Sequence, residues 1–474
     1  MKVSTLRLLA DARRAKAGGE RAMAARQQAR LDELVAWART RSPYYRHLYQ
    51  DLPAGMAGPI DLTRLPVTRK SELMSAFDDW VTDPAVTFTA ARAFADDPAR
   101  IGEPFAGRYT LSTTSGTTGT HGIFLQDARA AAVTGAMMAR MLLTWLKAAD
   151  VARIARGGGR MALVAPVGGH FASTVTAARL RGRSRIASFS VQQPLDELVA
   201  ELNAFRPAVL APYASIGALL AGEAEAGRLR INPALVVLSA EGLPLPEYAR
   251  IAAALNAKVR TSYACNECPF LSYGCEHGWM HLNADWAILE PVDEQYRPVP
   301  PGRPSHTVLL TNLANHVQPI LRYDLGDAVQ VRPDRCPCGN PGPAVRVQGR
   351  PADLLTIPRP DGEPVTLAPL PLATLLESVP GLELFQIVQS APTALRIRLH
   401  PAPGADPDTV WHQIQTRLSE LLARHGLGHV SIEHASEPPQ QNAGGKYRAV
   451  IPVTTPSSAD SPSTSVTAVQ RSAR

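Results

Sequence analysis

The chain has 474 residues, 45% hydrophobic and 19% charged, with 49 lysines and arginines against 42 acidic residues and a net charge of +7. That composition excludes a wholly disordered chain, a collagen-like fibre and a small disulfide scaffold, and the length suits two or three domains. The excess charge is local: residues 1–30 hold eight basic groups and two acids, +6 of the +7, so the remaining 444 are nearly neutral and give no footprint for nucleic acid.

In chain order, residues 1–40 read as a basic helical arm, solvated at its start. Leu31, Leu34, Val35 and Ala38 form a helical stripe over 20–40. Ser42-Pro43 stops that helix and caps a short one. Residues 55–110 are proline-rich and irregular. A long helix is predicted over 127–149 with Met137, Met138, Met141 and Leu142 facing the core. The apolar runs 161–167, 208–213 and 234–238 read as buried parallel strands, alternating with helices at 195–202, 215–226 and 246–255. Short strands follow at 286–291, 307–311, 328–331 and 344–348. A smaller unit begins at 351, with strands near 383–389 and 394–400, a helix starting at Asp406-Pro407 and stopping at Gly426, and a strand near 429–433. Residues 454–474 are a Ser/Thr-rich tail expected to be disordered.

The fold class is therefore α/β. A large domain of α/β subdomains with a β-rich subdomain is predicted over 41–350. A small α+β, lid-sized domain is predicted over 351–453. The apolar stretch 130–146 is broken by Arg140 and too short to span a bilayer, and the N-terminus lacks the pattern of an export signal. Five cysteines, an odd number in a long chain, suit a reducing compartment. A cytoplasmic protein with no membrane partner is the expectation.

Chemistry concentrates in a few segments. Residues 111–122, LSTTSGTTGTHG, interleave glycines with hydroxyls, a loop whose backbone N–H groups can wrap a polyphosphate. It is not a GxxxxGK[ST] P-loop, because no lysine follows. Four further segments come in order: Ser239-Ala240-Glu241-Gly242, Tyr263-Ala264-Cys265-Asn266-Glu267, Tyr323-Asp324-Leu325-Gly326-Asp327 and Gly349-Arg350. Gly444-Gly445-Lys446-Tyr447-Arg448 closes the series. Only six of the 49 basic residues are lysines, and Lys446 is the last of them.

Together these motifs resemble the adenylate-forming (acyl-CoA synthetase) superfamily over residues 30–453. The SGTTGTHGIF loop, the style of residues 272–290 and CPCG at 336–339 are similar to its phenylacetate–CoA ligase-like branch. The resemblance implies that Thr114, Ser115, Gly116, Thr117, Thr118 and Gly119 cradle the β- and γ-phosphates of ATP. It implies that Ala240, Glu241 and Gly242 border the adenine, that Tyr263 stacks on it, and that Asp327 accepts from the ribose hydroxyls. Glu267 would help hold Mg²⁺, an ion that favours carboxylate and phosphate oxygens. Lys446 would reach the α-phosphate and the attacking carboxylate. With Glu267 and Thr118 it makes the expected catalytic set. Arg350 is counted with the nucleotide-binding residues and lies in the expected hinge, which reads Gly-Arg-Pro-Ala-Asp where the family has Gly-Arg-x-Asp-Asp, so either Asp353 or the backbone near Pro351 would absorb the rotation.

The cysteines give a second constellation. Cys336 and Cys338 form a tight knuckle, and Cys275 precedes His281 in a C-x5-H spacing, a donor set suited to structural Zn²⁺. His277 is the alternative to His281, and Cys265, Cys268, Cys336 and Cys338 are a competing set. His170, after Gly168-Gly169, is the candidate substrate contact. The activity implied is ATP-dependent adenylation of a carboxylic acid, an aromatic one such as a substituted benzoate or arylacetate, followed by transfer to coenzyme A. An amine, hydroxyl or carrier-protein thiol is the alternative acceptor, and a non-catalytic zinc-bearing binding protein the alternative of a different class. The oligomeric state is not legible.

Overall fold

A computed structural model describes residues 5–52, 59–114, 122–165, 169–180, 185–240, 242–243, 245–347, 355–360, 362–367, 369–440 and 449–453. At its centre is a five-stranded, all-parallel sheet in the order Ile186–Ser190, Met161–Ala165, Val209–Pro212, Leu235–Leu238, Lys258–Thr261. Helices Ala172–Leu180, Leu195–Phe205, Ala214–Glu225 and Leu245–Ala254 connect the strands. The continuous apolar runs of the inner strands follow from cover on both faces: Ala162, Val164, Leu210, Val236 and Leu238 are buried with Leu198, Leu202, Leu220 and Ile251 of the helices. The strands at 186–190 and 258–261 were not predicted. Both lie at the sheet edges and are only partly covered.

Beyond this sheet the chain turns antiparallel, as the shorter segments after 285 predict. Ala287–Val292, Thr307–Asn312 and Ile320–Asp324 make one sheet. Val329–Val331, Ala344–Val347, Met280–Leu282 and Ser272–Gly274 make another. The first of these shares a core with the N-terminal helices and the hairpin Thr110–Thr113/Ile123–Gln126, through Leu34, Tyr45, Trp80, Phe124, Leu310 and Tyr323. The C-terminal residues form a hairpin, Leu355–Arg359 with Gly362–Leu367, a helix Pro369–Glu377 and a four-stranded sheet packed by the helix Pro407–Arg424. Their core, with Ile387, Ile397, Ile414 and Leu418, is separate from the others. Among the described residues, no helix is long and apolar enough to cross a membrane.

Two expectations change. The basic arm is helical, Thr5–Ala17 and Gly19–Arg41, but its first helix is packed rather than solvated. Leu8, Ala12 and Ala15 are buried, and Asp11 binds Arg26 at 3.0 Å and Arg30 at 2.7 Å. Arg30 in turn lies 3.5 Å over the Trp286 ring, so the arm is fastened to the body by cation–π as well as ionic contact. The long helix is Ala128–Trp145, capped by the Asp127 carboxylate on the Ala130 N–H at 2.7 Å. Its buried side is Ala130, Val133, Ala136, Met137 and Trp145, while Met138 and Leu142 are exposed. Small residues face inward because the helix Thr5–Ala17 packs against this one. Close helix approach selects alanine, so methionines are a poor guide to the core face.

Candidate active site and metal centre

The phosphate-loop reading begins at the hairpin. Thr110–Thr113 runs into Thr114, whose N–H donates to the Gly122 carbonyl at 2.9 Å and whose hydroxyl accepts from the Gly122 N–H at 3.0 Å. Both ends of the loop are thus tied together. A side chain at 122 is excluded, since a Cβ there would lie 2.7 Å from the Thr114 hydroxyl and 2.5 Å from the Phe124 ring. Ser115, Gly116, Thr117, Thr118 and Gly119 lie outside the described residues, as do Glu241, Arg350 and Lys446.

Sequence reasoning missed Lys70. The segment before it pairs with the strand carrying Tyr323: the Thr68 N–H donates to Arg322 at 3.0 Å, and the Asp324 N–H to Thr68 at 2.9 Å. This delivers Lys70 to the loop, its Nζ donating to the Thr114 hydroxyl at 3.4 Å. Burial holds the ammonium below the usual lysine range, countered by the negative charges of Glu267 and of Glu377 from the C-terminal unit. The loop without a lysine therefore has one at its base. Lysine scarcity was the signal that could have found it.

Glu267 is buried within reach of that cation. Tyr323 donates to its Oε1 at 2.9 Å, and Asn312 donates to its backbone carbonyl at 2.7 Å. Burial raises the carboxyl above its ordinary range, against the lowering influence of backbone hydrogen bonding, Lys70, Tyr323 and Cys265. A shielded carboxylate is a donor that suits a hard divalent cation. Tyr263 donates to Asp327 Oδ2 at 2.7 Å, so these two residues meet and the carboxylate is held in a fixed orientation. Burial, then the Asp327 charge, keeps the phenol protonated. Ala240 follows the strand Leu235–Leu238 at the carboxyl end of the parallel sheet, where ligands of such sheets bind. Its φ of +68° is left-handed, a strained conformation for a residue with a Cβ. Gly242 stands two residues on, half-buried.

His170 sits apart in one respect. Its backbone carbonyl accepts the Thr113 N–H at 2.8 Å, which places it next to the loop. Its ring, however, packs on Phe94 and donates through Nδ1 to the Ala95 carbonyl at 3.0 Å. Burial lowers its basicity, against the raising influence of the Ala95 and Arg100 backbones.

The metal reading gathers Cys275, His281, Cys336 and Cys338, whose donor atoms all lie within 4.8 Å of one another. Cys275 and Cys336 sulfurs are 3.7 Å apart, and Cys338 Sγ is 3.1 Å from His281 Nε2. Tetrahedral Zn–S bonds of about 2.3 Å put two sulfurs about 3.8 Å apart, so the donors fit a zinc ion. His281 Nδ1 donates to the Gly342 carbonyl at 3.2 Å, which fixes the ring and leaves Nε2 to face the sulfurs. Ala344 pairs with His281 in the sheet, bringing the knuckle into place. Three thiolates around a divalent ion leave net negative charge, and Arg332 and Arg346 stack over the neighbouring Trp279 at 5.1 and 4.2 Å. His277 is exposed and outside the cluster. Cys265 and Cys268 are also outside it, paired across a tight turn, Cys268 buried and Cys265 half-buried, and desolvation pushes both thiols up.

No protein-family model matches the chain. Among curated proteins it is similar to a phenylacetate–coenzyme A ligase of Thermus thermophilus, 25% identical over 350 residues, 70% of this chain and 71% of that one. Among solved structures it is similar to an open conformation of 2-hydroxyisobutyryl-CoA ligase in complex with 2-HIB-AMP and CoA (TM-score 0.53, 21% identity, 91% of each chain). It is also similar to that ligase in the thioesterification state (TM-score 0.55, 22% identity, 90% of this chain and 88% of that one). The fold is that of adenylate-forming ligases, and the resemblance read from the motifs holds.

Proposed function

We propose that this chain, an adenylate-forming ligase, activates a carboxylic acid with ATP and passes the acyl group to coenzyme A. The proximity to one another of Thr114, Lys70, Glu267 and the Tyr263–Asp327 pair carries the reading. In the first half-reaction the acid's carboxylate oxygen attacks the α-phosphorus and pyrophosphate leaves. Lys70 and the loop N–H groups offset the charge that accumulates on the phosphates. Glu267 would hold Mg²⁺, an ion that would supply positive charge against the phosphate oxygens. Asp327, held by Tyr263, orients the ribose.

Lys446, outside the described residues, is assigned to the α-phosphate and the attacking carboxylate. Residues 351–453 are assigned as a lid that rotates about the Arg350 segment, withdrawing Lys446 and admitting the thiol of coenzyme A. The thiol sulfur then attacks the acyl carbon and AMP leaves. We assign the acid to the aromatic class, and Cys275, His281, Cys336 and Cys338 to a structural zinc whose four protein ligands leave no open position. Five cysteines without a disulfide suit the cytoplasm.

Pyrophosphate exchange measured across a panel of benzoates, arylacetates and aliphatic acids tests the first half-reaction, and coenzyme A-dependent AMP release the second. Exchange with no acid in the panel sinks the reading. AMP release at full rate without coenzyme A, but dependent on an amine or a carrier thiol, reassigns the acceptor.

A further inference from the structure

Asn266 stands between the carboxylate of Glu267 and the strand that feeds the phosphate loop. Its Nδ2 donates to the Thr113 carbonyl at 3.1 Å. That bond fixes the carboxamide: turning it over would set two acceptors against each other. Oδ1 therefore points the other way. It is shielded from solvent and has no hydrogen-bond donor among the described residues. A shielded acceptor is ordinarily paired, so this orphan, on a residue bonded to the carbonyl immediately before Thr114, marks a place where a ligand brings the donor.

The reactants of the proposed first step narrow the choice. The phosphates of ATP and the carboxylate of the acid present acceptors only, the ribose hydroxyls are assigned to Asp327, and the amine of adenine, the other donor on ATP, is assigned to the segment at 240–242 that borders the base. What remains is a donor on the acid itself. Asn266 adjoins Glu267, and its carboxamide reaches Thr113 at the base of the loop, so the donor lies close to the reacting carboxylate rather than at the far end of the substrate.

Resting on the adenylation reading, we infer that Asn266 is a specificity-determining residue that selects acids carrying a hydroxyl or amino group beside the carboxylate, its Oδ1 accepting from that group. The relevant classes are 2-hydroxy and 2-amino acids and their aromatic ortho-substituted counterparts. Removing the donor from the substrate leaves Oδ1 unpaired in the bound state, a penalty that polar sites use to reject analogues.

The test is acid-dependent ATP–pyrophosphate exchange with matched pairs: mandelate against phenylacetate, and salicylate against benzoate. The unmodified chain should favour the donor-bearing member of at least one pair by about tenfold or more in kcat/KM, about 1.4 kcal/mol. In Asn266→Leu that ratio should fall to near one, whatever the absolute rate. Asn266→Ser, which keeps a small acceptor, should retain part of it and serves if the leucine variant fails to fold by circular dichroism. Absence of a preference in the unmodified chain overturns the inference, as does a preference that survives both substitutions. An equal loss for all acids together with a raised Mg²⁺ requirement also overturns it, making Oδ1 a metal ligand. If no acid of either kind drives exchange, the adenylation reading itself fails, an outcome distinct from the others.

Discussion

Replacing Lys70 by methionine removes the cation while keeping the length of its apolar stem. In the folded chain Nζ is 3.4 Å from the Thr114 hydroxyl and close enough to Glu267 for their charges to interact, although burial opposes its charged form. A donor placed where phosphate charge accumulates contributes about 2.7–4 kcal/mol, or about 10²–10³ in rate. Lys70→Met should therefore slow pyrophosphate exchange by about that factor. Two effects on stability oppose each other. The variant is relieved of a buried ammonium, but Glu267 loses its nearest cation and is pushed further toward its protonated form. The melting temperature should consequently move little while activity collapses, a separation that a merely structural lysine would not produce. The assay pairs exchange kinetics with thermal unfolding at several ATP concentrations. A fall in rate of less than about threefold, or a loss of activity that tracks a loss of folded protein, refutes the assignment.

Glu267→Gln should abolish Mg²⁺-dependent exchange yet raise the unfolding temperature at neutral pH. An acid whose folded pKa is raised costs stability once pH exceeds its unfolded value, and the gain should vanish below that value; equal gain at acid and neutral pH would contradict this. Ala240→Gly relieves a left-handed residue and should stabilise the chain by about 0.5–1 kcal/mol in denaturant unfolding. Purified protein should carry about one zinc per chain by elemental analysis, lost in Cys275→Ser but retained in Cys265→Ser; retention in the first and loss in the second would favour the competing cysteine set. Gly122→Ala forces a Cβ against the Thr114 hydroxyl and should weaken ATP binding, measured by calorimetry, more than it lowers stability.

Much of the α/β core was legible because a buried parallel strand has to be apolar throughout. Met161–Ala165, Val209–Pro212 and Leu235–Leu238 announce themselves, whereas partly covered edge strands do not. The hairpin at 355–367 and the helix Pro369–Glu377 also went unpredicted. Proline stands at 358, 360, 364, 369 and 371, and it breaks the patterns on which a reading from sequence depends. At the site, local motifs marked Glu267, Tyr263 and Asp327, because each segment keeps its order and residue types. Lys70 escaped since its place is set by the pairing of Thr68 with Tyr323, some 250 residues away in sequence. Asn266 was read as one letter in a motif; only its hydrogen bond to Thr113 shows that half of its carboxamide is left over.

The preference for arginine over lysine has a chemical corollary. Acyl-adenylates and acyl thioesters acylate free amines, and an enzyme that makes them is exposed to its own products. A guanidinium stays protonated and is a poor nucleophile, whereas a lysine amine is a ready target. Of the described lysines, Lys258 is tied to Asp150 and to the Trp145 carbonyl at 2.9 Å and Lys70 is enclosed, leaving Lys16 and Lys147 in the open. A surface kept soluble by arginine offers few sites for self-acylation, so on the proposed chemistry the chain tolerates the reactive species it releases.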